Sequence, residues 1–162
     1  MKVVFMQDMV FEAFGPMYIS STLKQAGHKT ELVIPQGNNG DYLREVKGAD
    51  LLALSVTSSF HKWHLERAKG VKEEYDIPVI MGGPHPTFHP EVVQEKNVDY
   101  AVLGEGEKPI LELVTNLESG KDTENIKGIW TKKTRNEMAI LEDFNNIPYP
   151  DRELYYNKFK FL

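Results

Sequence analysis

The stretch "IPVIMGGPHPTFHPEVVQEKNVDYAVLGEGE", Ile77 to Glu107, decides the fold. It opens on a short apolar run, breaks at Gly82 and Gly83, and passes through a proline- and histidine-rich loop into "PEVVQEK". It then returns to a second apolar run, "DYAVL", which breaks again at "GEGE". Strand-length apolar runs separated by a helical segment predict parallel strands joined by a crossover. The glycine pair also poses a question, because two successive residues without side chains imply that something approaches the backbone closely there.

Working toward the N-terminus, "KVVFM" and "KTELVI" read as strands. "LLALSV" is continuously apolar, as expected of a strand covered on both faces. Pro16 opens a helix with Ile19, Leu23 and Ala26 on one face, stopped by Gly27, and "DYLREVKG" is a short helix. Trp63, Ala68, Val71 and Tyr75 suit one flank of a third helix, and Ile110, Leu113, Val114 and Leu117 form the stripe of a last one. Five strands, each followed by a helix, predict an α/β/α sandwich. It is a flavodoxin-like, doubly wound, five-stranded parallel sheet of order 2-1-3-4-5 spanning residues 1–120. In 121–162 the pattern changes: "GIWTKK" and "EMAIL", joined by "TRN", read as a β-hairpin, and "NNIPYPDRELYY" as an extended connector. The apolar ending "FKFL" reads as a truncation.

Composition removes several function classes. A chain of 162 residues with 41% hydrophobic and 27% charged residues is an ordinary globular protein with room for a real core. A net charge of -5 argues against a nucleic-acid footprint, which needs a basic face. No apolar run reaches the roughly 20 residues of a membrane span, and nothing resembles a signal peptide, so the expected address is the cytoplasm. With 0 cysteines the chain itself can hold neither a disulfide nor a thiolate metal site nor an iron–sulfur cluster.

In an open parallel sheet, ligands bind outside the carboxyl ends of the strands. The loops there are "QDMVFEAFG", "SVTSSFHKW", "GGPHPTFHPE" and "GEGEKP", and they predict a broad, shallow floor. Each has a plain structural reading as well. Gly82 and Gly83 can form a strand-to-helix turn with positive φ, and Ser55, Thr57, Ser58 and Ser59 can be helix-capping groups. Gly104, Glu105, Gly106 and Glu107 can be a helix start whose carboxylates favour the N-terminal dipole. His85 and His89 have no third ligand at a recognised spacing, so no metal is assigned, and His61 and His64 are expected at the surface or partly packed. Asp8 and Glu12 are too isolated for paired acid–base work, and no nucleophile elbow, P-loop or dinucleotide fingerprint is present.

Taken together, "FGPMYISSTLKQAGHKTELV", "MGGPHPTFHPE", "VDYAVLGEGE", "IKGIW" and "NNIPYPDRELY" resemble the N-terminal cobalamin (vitamin B12)-binding domain of cobalamin-dependent radical S-adenosylmethionine enzymes. The resemblance covers essentially the whole chain. It implies that the corrin edge meets the strand ends and that the dimethylbenzimidazole tail, released from cobalt, enters a slot beside the sheet. It implies that Ser55, Thr57, Ser58, Ser59, Gly82 and Gly83 make room for that tail and nucleotide loop. Pro84, His85 and Thr87 would lie on the rim, Gly104, Glu105, Gly106 and Glu107 beside the far end of the slot, and Asp8, Met9 and Phe14 in the first loop toward the cobalt face.

Two departures follow. The D-x-H-x-x-G motif of methionine-synthase-type domains is replaced by "QDMVFEAFG", so no histidine from that loop can ligate cobalt. The lower face of a base-off cofactor would be left without a histidine ligand or met by water or another side chain, with Met9, Phe11 and Phe14 offering an apolar face there. The C-x-x-x-C-x-x-C motif is absent, so S-adenosylmethionine and the 4Fe-4S cluster would belong to a radical domain in cis, beyond Leu162. The resemblance thus implies a cofactor-binding module that catalyses nothing alone and serves methyl transfer or another radical reaction. The alternative is a degenerate, cofactor-free domain for substrate gating or protein interaction, favoured by the bulky Phe60, Trp63 and Phe88. A flavodoxin-type electron carrier would need a phosphate-cradling first loop, which is lacking.

Overall fold

The computed structural model describes residues 1–35, 41–140 and 147–158. Strands β1 (Lys2–Met6), β2 (Lys29–Val33), β3 (Leu51–Ser55), β4 (Val79–Gly82) and β5 (Tyr100–Val102) pair in parallel. Their order is β2-β1-β3-β4-β5, as the sequence predicts. A sixth strand, β6 (Ile129–Trp130), adds antiparallel to β5 through the pairs Ala101–Trp130 and Val102–Ile129. The first arm of the expected hairpin is therefore an edge strand of the main sheet. Its return is reduced to single bridges at Trp130–Arg135 and Gly104–Ala139.

Alternation along each strand divides the core in two. Val4, Met6, Leu52, Leu54, Val79 and Met81 pack against α2 (Asp41–Val46) and α3 (His61–Tyr75). Val3, Phe5, Leu51, Ala53, Ile80 and Val102 face α1 (Phe14–Gln25) and α5 (Glu107–Ser119). The proline-rich loop is more ordered than its composition suggests. Pro84 starts a helical turn, α4 (Pro84–Phe88), and Pro90 a 3-10 turn, Pro90–Gln94, because proline at the first helical position gives up an amide that would have no intrahelical partner.

Of the expected connector, residues 147–151 have no regular structure, and α6 (Glu153–Tyr156) ends it as a single helical turn. Leu141, Asn145, Asn146 and the apolar ending 159–162 lie outside the described residues. Leu154 and Tyr155 are buried in the α1–α5 half of the core. The Tyr155 hydroxyl donates to Gln7 Oε1 at 2.6 Å and accepts from the Ala13 amide at 3.2 Å, while the Gln7 amide nitrogen donates to the Met9 and Phe11 carbonyls. Burial pushes the Tyr155 hydroxyl up to about 12, so it stays protonated and able to donate. Asp151 accepts from Ser20 Oγ at 2.5 Å and pairs with Lys24 Nζ at 2.7 Å. The loop 7–13 is thus shaped by the C-terminal turn. Tyr155→Phe, which keeps the ring but strands Gln7 Oε1 and the Ala13 amide, is expected to lower unfolding stability in urea by about 1–2 kcal/mol. It should also speed amide exchange within 8–13, and unchanged exchange there would show that the clasp does not shape the loop.

Candidate functional site

Strands β3 and β4 end side by side at the paired residues Ser55 and Gly82. The main chain of one residue then locks the turn that follows: the Val56 amide donates to the Gly82 carbonyl at 2.8 Å, and the Val56 carbonyl accepts from the His85 amide at 3.0 Å. A Cβ on Gly83 would sit 3.1 Å from Val56 O and 3.2 Å from Val56 N, and its φ of +94° is left-handed. Gly83 is therefore glycine because the protein's own main chain crosses it. Gly82 has a different reason, since its Cβ would meet Val102 Cγ1 at 2.7 Å.

Beside this turn, on the α1–α5 side of the sheet, lies a groove of about 120 Å³ that opens to solvent. Its floor is Phe5, Ala53, Ile80 and Val102, one residue from each of four adjacent strands. Gly15, Pro16 and Ile19 of α1 form one wall, and Gly106, Glu107 and Ile110 at the start of α5 form the other. A Cβ on Gly106 would come within 2.9 Å of Ile19 Cδ1 and 3.3 Å of Ile110 Cδ1, so this glycine keeps the two walls apart. The binding surface is a half-enclosed apolar groove on one face of the sheet, where a broad, shallow floor was expected.

Seven predicted residues meet at this groove: Ser55, Gly82, Gly83, Gly104, Glu105, Gly106 and Glu107. The floor and the α1 wall carried no signal of their own, because Phe5, Ala53, Ile80 and Val102 read as ordinary core. Among the described residues lining the groove, only Glu105 and Glu107 are ionisable. Glu105 is exposed, whereas Glu107 is buried and its Oε2 has no hydrogen-bond partner. Burial pushes the Glu107 carboxyl above the ordinary value of 4.5, and the neighbouring Glu105 adds to the rise.

The other predicted residues lie elsewhere. Met9 and Phe14 are exposed on the rim, beside Val10 and Phe11. Asp8 turns away from the groove toward α3, with Oδ1 4.0 Å from His64 Nε2 and Oδ2 buried without a partner. His64 is 0% exposed, which corrects its expected surface placement. Its Nδ1 lies 3.0 Å from the Phe60 carbonyl, and burial pushes its pKa down. Thr57 precedes a 3-10 turn, Ser58–Phe60, without a side-chain cap bond, so the capping reading of this run fails there. Ser58 Oγ bonds His85 Nδ1 at 3.1 Å, and Ser59 is exposed. His85 is buried and stacks on His61 at 4.6 Å, an arrangement that occupies it as a packing residue. Pro84 starts α4, and Thr87 Oγ1 donates to the Gly83 carbonyl at 2.9 Å, tying that turn to itself. Among the described residues no group of three or more histidine, aspartate or glutamate side chains is placed to hold a metal ion. Phe88 and Phe60 are exposed, and Trp63 packs against the α3 side of the core and on Arg67, so none of the three plugs the groove.

The B12 binding domain family matches residues 8–114, two thirds of the chain. The chain belongs to that family. Over 115 residues this B12 binding domain is 37% identical to an uncharacterized methyltransferase of Pyrococcus horikoshii, covering 65% of this chain and 25% of the relative. It is 30% identical over 115 residues to the anaerobic magnesium-protoporphyrin IX monomethyl ester cyclase of Rubrivivax gelatinosus, covering 64% and 20%. The chain therefore spans a quarter or less of the curated relatives it matches. The fold is shared with the radical S-adenosylmethionine methyltransferase TsrM of Kitasatospora setae, solved with cobalamin and a 4Fe-4S cluster bound. The TM-score is 0.73 at 21% identity, over 95% of this chain and 32% of that one. Among the described residues no helix is long and apolar enough to cross a membrane.

Among the described residues that line the groove, Glu107 carries the one buried side-chain oxygen without a hydrogen-bond partner. Because the folded B12 binding domain holds the Glu107 proton at pH values where the unfolded chain has lost it, the group's contribution is full below pH 4.5. It is lost as pH rises through the folded value. Glu107→Gln should therefore raise unfolding stability at pH 7 by about 1 kcal/mol in the apo protein. It should also flatten the decline above pH 4.5, and an unchanged pH profile would show that the carboxyl is solvated.

Proposed function

We propose that this chain binds cobalamin at the carboxyl rim of its sheet, with the lower base released from cobalt and lodged in the groove between α1 and α5. It would act as the cofactor module of a longer radical S-adenosylmethionine enzyme. The observation that carries the reading is the groove itself: a solvent-connected cleft between α1 and α5 over the ends of four strands, with Gly82 and Gly106 where side chains would narrow it.

In this reading Phe5, Ala53, Ile80 and Val102 give the tail an apolar bed, and Ser55, Gly82, Gly83, Gly104, Glu105 and Gly106 border its entry. Met9, exposed on the loop clasped by Gln7 and Tyr155, and Phe14, exposed at the start of α1, offer apolar contact to the macrocycle. Thr57, Ser58, Ser59, Pro84, His85 and Thr87 support the neighbouring turns, with Thr87 and His85 fixing the path after Gly83. Asp8 anchors the start of its loop toward α3. Residues 1–120 are the binding unit, and 121–162 lead toward the catalytic domain. Bound cobalamin would supply methyl transfer or a related radical step. S-adenosylmethionine and the iron–sulfur cluster would be held by the rest of the polypeptide, because this chain has 0 cysteines.

Mixing the purified chain with hydroxocobalamin, desalting and recording the visible spectrum should show retained cofactor with a base-off band. A colourless protein would favour the cofactor-free interaction domain. Gly15 lines the groove, and a Cβ there would meet nothing within 4 Å. Gly15→Leu should keep or raise thermal stability, since leucine is favoured over glycine in a helix by up to about 1 kcal/mol. It should weaken cobalamin binding at least about tenfold by filling the groove mouth, a loss of roughly 1.4 kcal/mol. Full-strength binding by this variant would place the tail elsewhere.

A further inference from the structure

The groove holds a combination that a purely apolar slot does not need. Its floor and walls are hydrocarbon and glycine, yet Glu107 is 8% exposed and its Oε2 is shut away from water without a partner. A buried, unpaired carboxyl oxygen costs stability, so its natural complement is a polar atom on whatever fills the cavity. No lysine, arginine or histidine lines the groove, so no protein cation competes for it, and Glu105 only adds like charge. Burial favours the neutral form of this carboxyl, and in that form it can donate a hydrogen bond to an acceptor with a free lone pair.

We propose that Glu107 shares one proton with the ring nitrogen of the cofactor's released lower base, so that the groove selects corrinoids whose base is a nitrogen heterocycle. The assignment rests on the reading of the groove given above. Once the base leaves cobalt its ring nitrogen has a free lone pair, and the neutral acid of Glu107 donates to it. If the proton resides on the base instead, the carboxylate accepts the N–H. In both forms a single proton lies between the two groups and no other bond changes. The pairing also supplies Oε2 with the contact the folded chain lacks, and it disfavours return of the base to cobalt.

Three corrinoids separate this from a packing role: cobalamin, a cobamide whose lower base is p-cresol and has no ring nitrogen, and cobinamide, which has no base at all. Equilibrium binding of each to wild type, Glu107→Leu and Glu107→Gln is the experiment, with thermal melts to confirm folding. Glu107→Leu should weaken cobalamin about 10- to 100-fold, the range of a hydrogen bond involving a charged or strongly polar group. Its binding of the p-cresol cobamide and cobinamide should stay within about twofold, as expected where no interaction is removed. Glu107→Gln, which still offers an N–H, should lose less. The wild-type preference for cobalamin should also shrink as pH rises far enough to deprotonate both partners, a response that Glu107→Leu lacks. Equal losses for all three corrinoids, or undiminished cobalamin binding by Glu107→Leu, would overturn the assignment while leaving the groove reading intact. A wild-type chain that binds none of the three overturns both.

Discussion

The main chain of one residue, Val56, stops the two central strands together. Its amide closes on Gly82 and its carbonyl on His85, so β3 ends, β4 ends and α4 begins within a single crossing of main chain. Only glycine fits at position 83, where φ is +94° and the Val56 backbone is in contact. Because both strands terminate at the same level, α1 and α5 pass on either side of the strand ends and leave a cleft between them, whose floor residues Phe5, Ala53, Ile80 and Val102 are themselves buried. The rest of the sheet is sealed on both faces, with Val3, Leu51 and Leu113 on one side and Val4, Leu52 and Val79 on the other all fully buried.

The two faces differ in the polar groups they bury. Toward α3, Asp8 approaches His64 without bonding it, and Arg67 lies between the Tyr42 and Trp63 rings at 5.2 and 4.7 Å. These groups are enclosed by the protein, and stacking on aromatic faces gives the guanidinium a setting that its unpaired Nε does not provide. Toward α5, Glu107 has neither an ion pair nor an aromatic partner and borders open space. Unpartnered polar atoms occur on both faces, Asp8 Oδ2, His64 Nε2 and Arg67 Nε on the first and Glu107 Oε2 on the second. What distinguishes Glu107 is its place: it lines a groove that opens to solvent, whereas the other three are packed inside the chain.

The architecture was legible because parallel strands covered on both faces must be continuously apolar, and "LLALSV" and "DYAVL" are. The loops that border the site were legible through glycine. Their reasons were not, since Gly83 answers to Val56 and Gly82 to Val102. The groove floor was invisible because Ala53 and Ile80 look the same in sequence whether a helix or a guest covers them. His64 was misplaced because a histidine among "HKWHLER" gives no sign of which helical face it occupies until α3 docks and buries it. The helical turn at Pro84 was hidden by a proline count that suggests a loop, although proline suits the first position of a helix.

The C-terminal turn is where fold and site become one mechanical unit. Tyr155 reaches Gln7, which fixes the carbonyls of Met9 and Phe11, so the apolar rim loop takes its shape from a residue 148 positions away in sequence. Asp151 grips α1 through Ser20 and Lys24, and its own amide donates to the Met17 carbonyl, bracing the helix that carries Gly15, Pro16 and Ile19. Both anchors are buried or nearly so, and buried hydrogen bonds resist loss because each broken one leaves two unsatisfied groups. A displacement of the segment carrying Asp151 and Tyr155 cannot be absorbed in a loose linker. It must be borne by the α1 wall of the groove and by the rim loop together, the two elements that a bound macrocycle and its tail would touch.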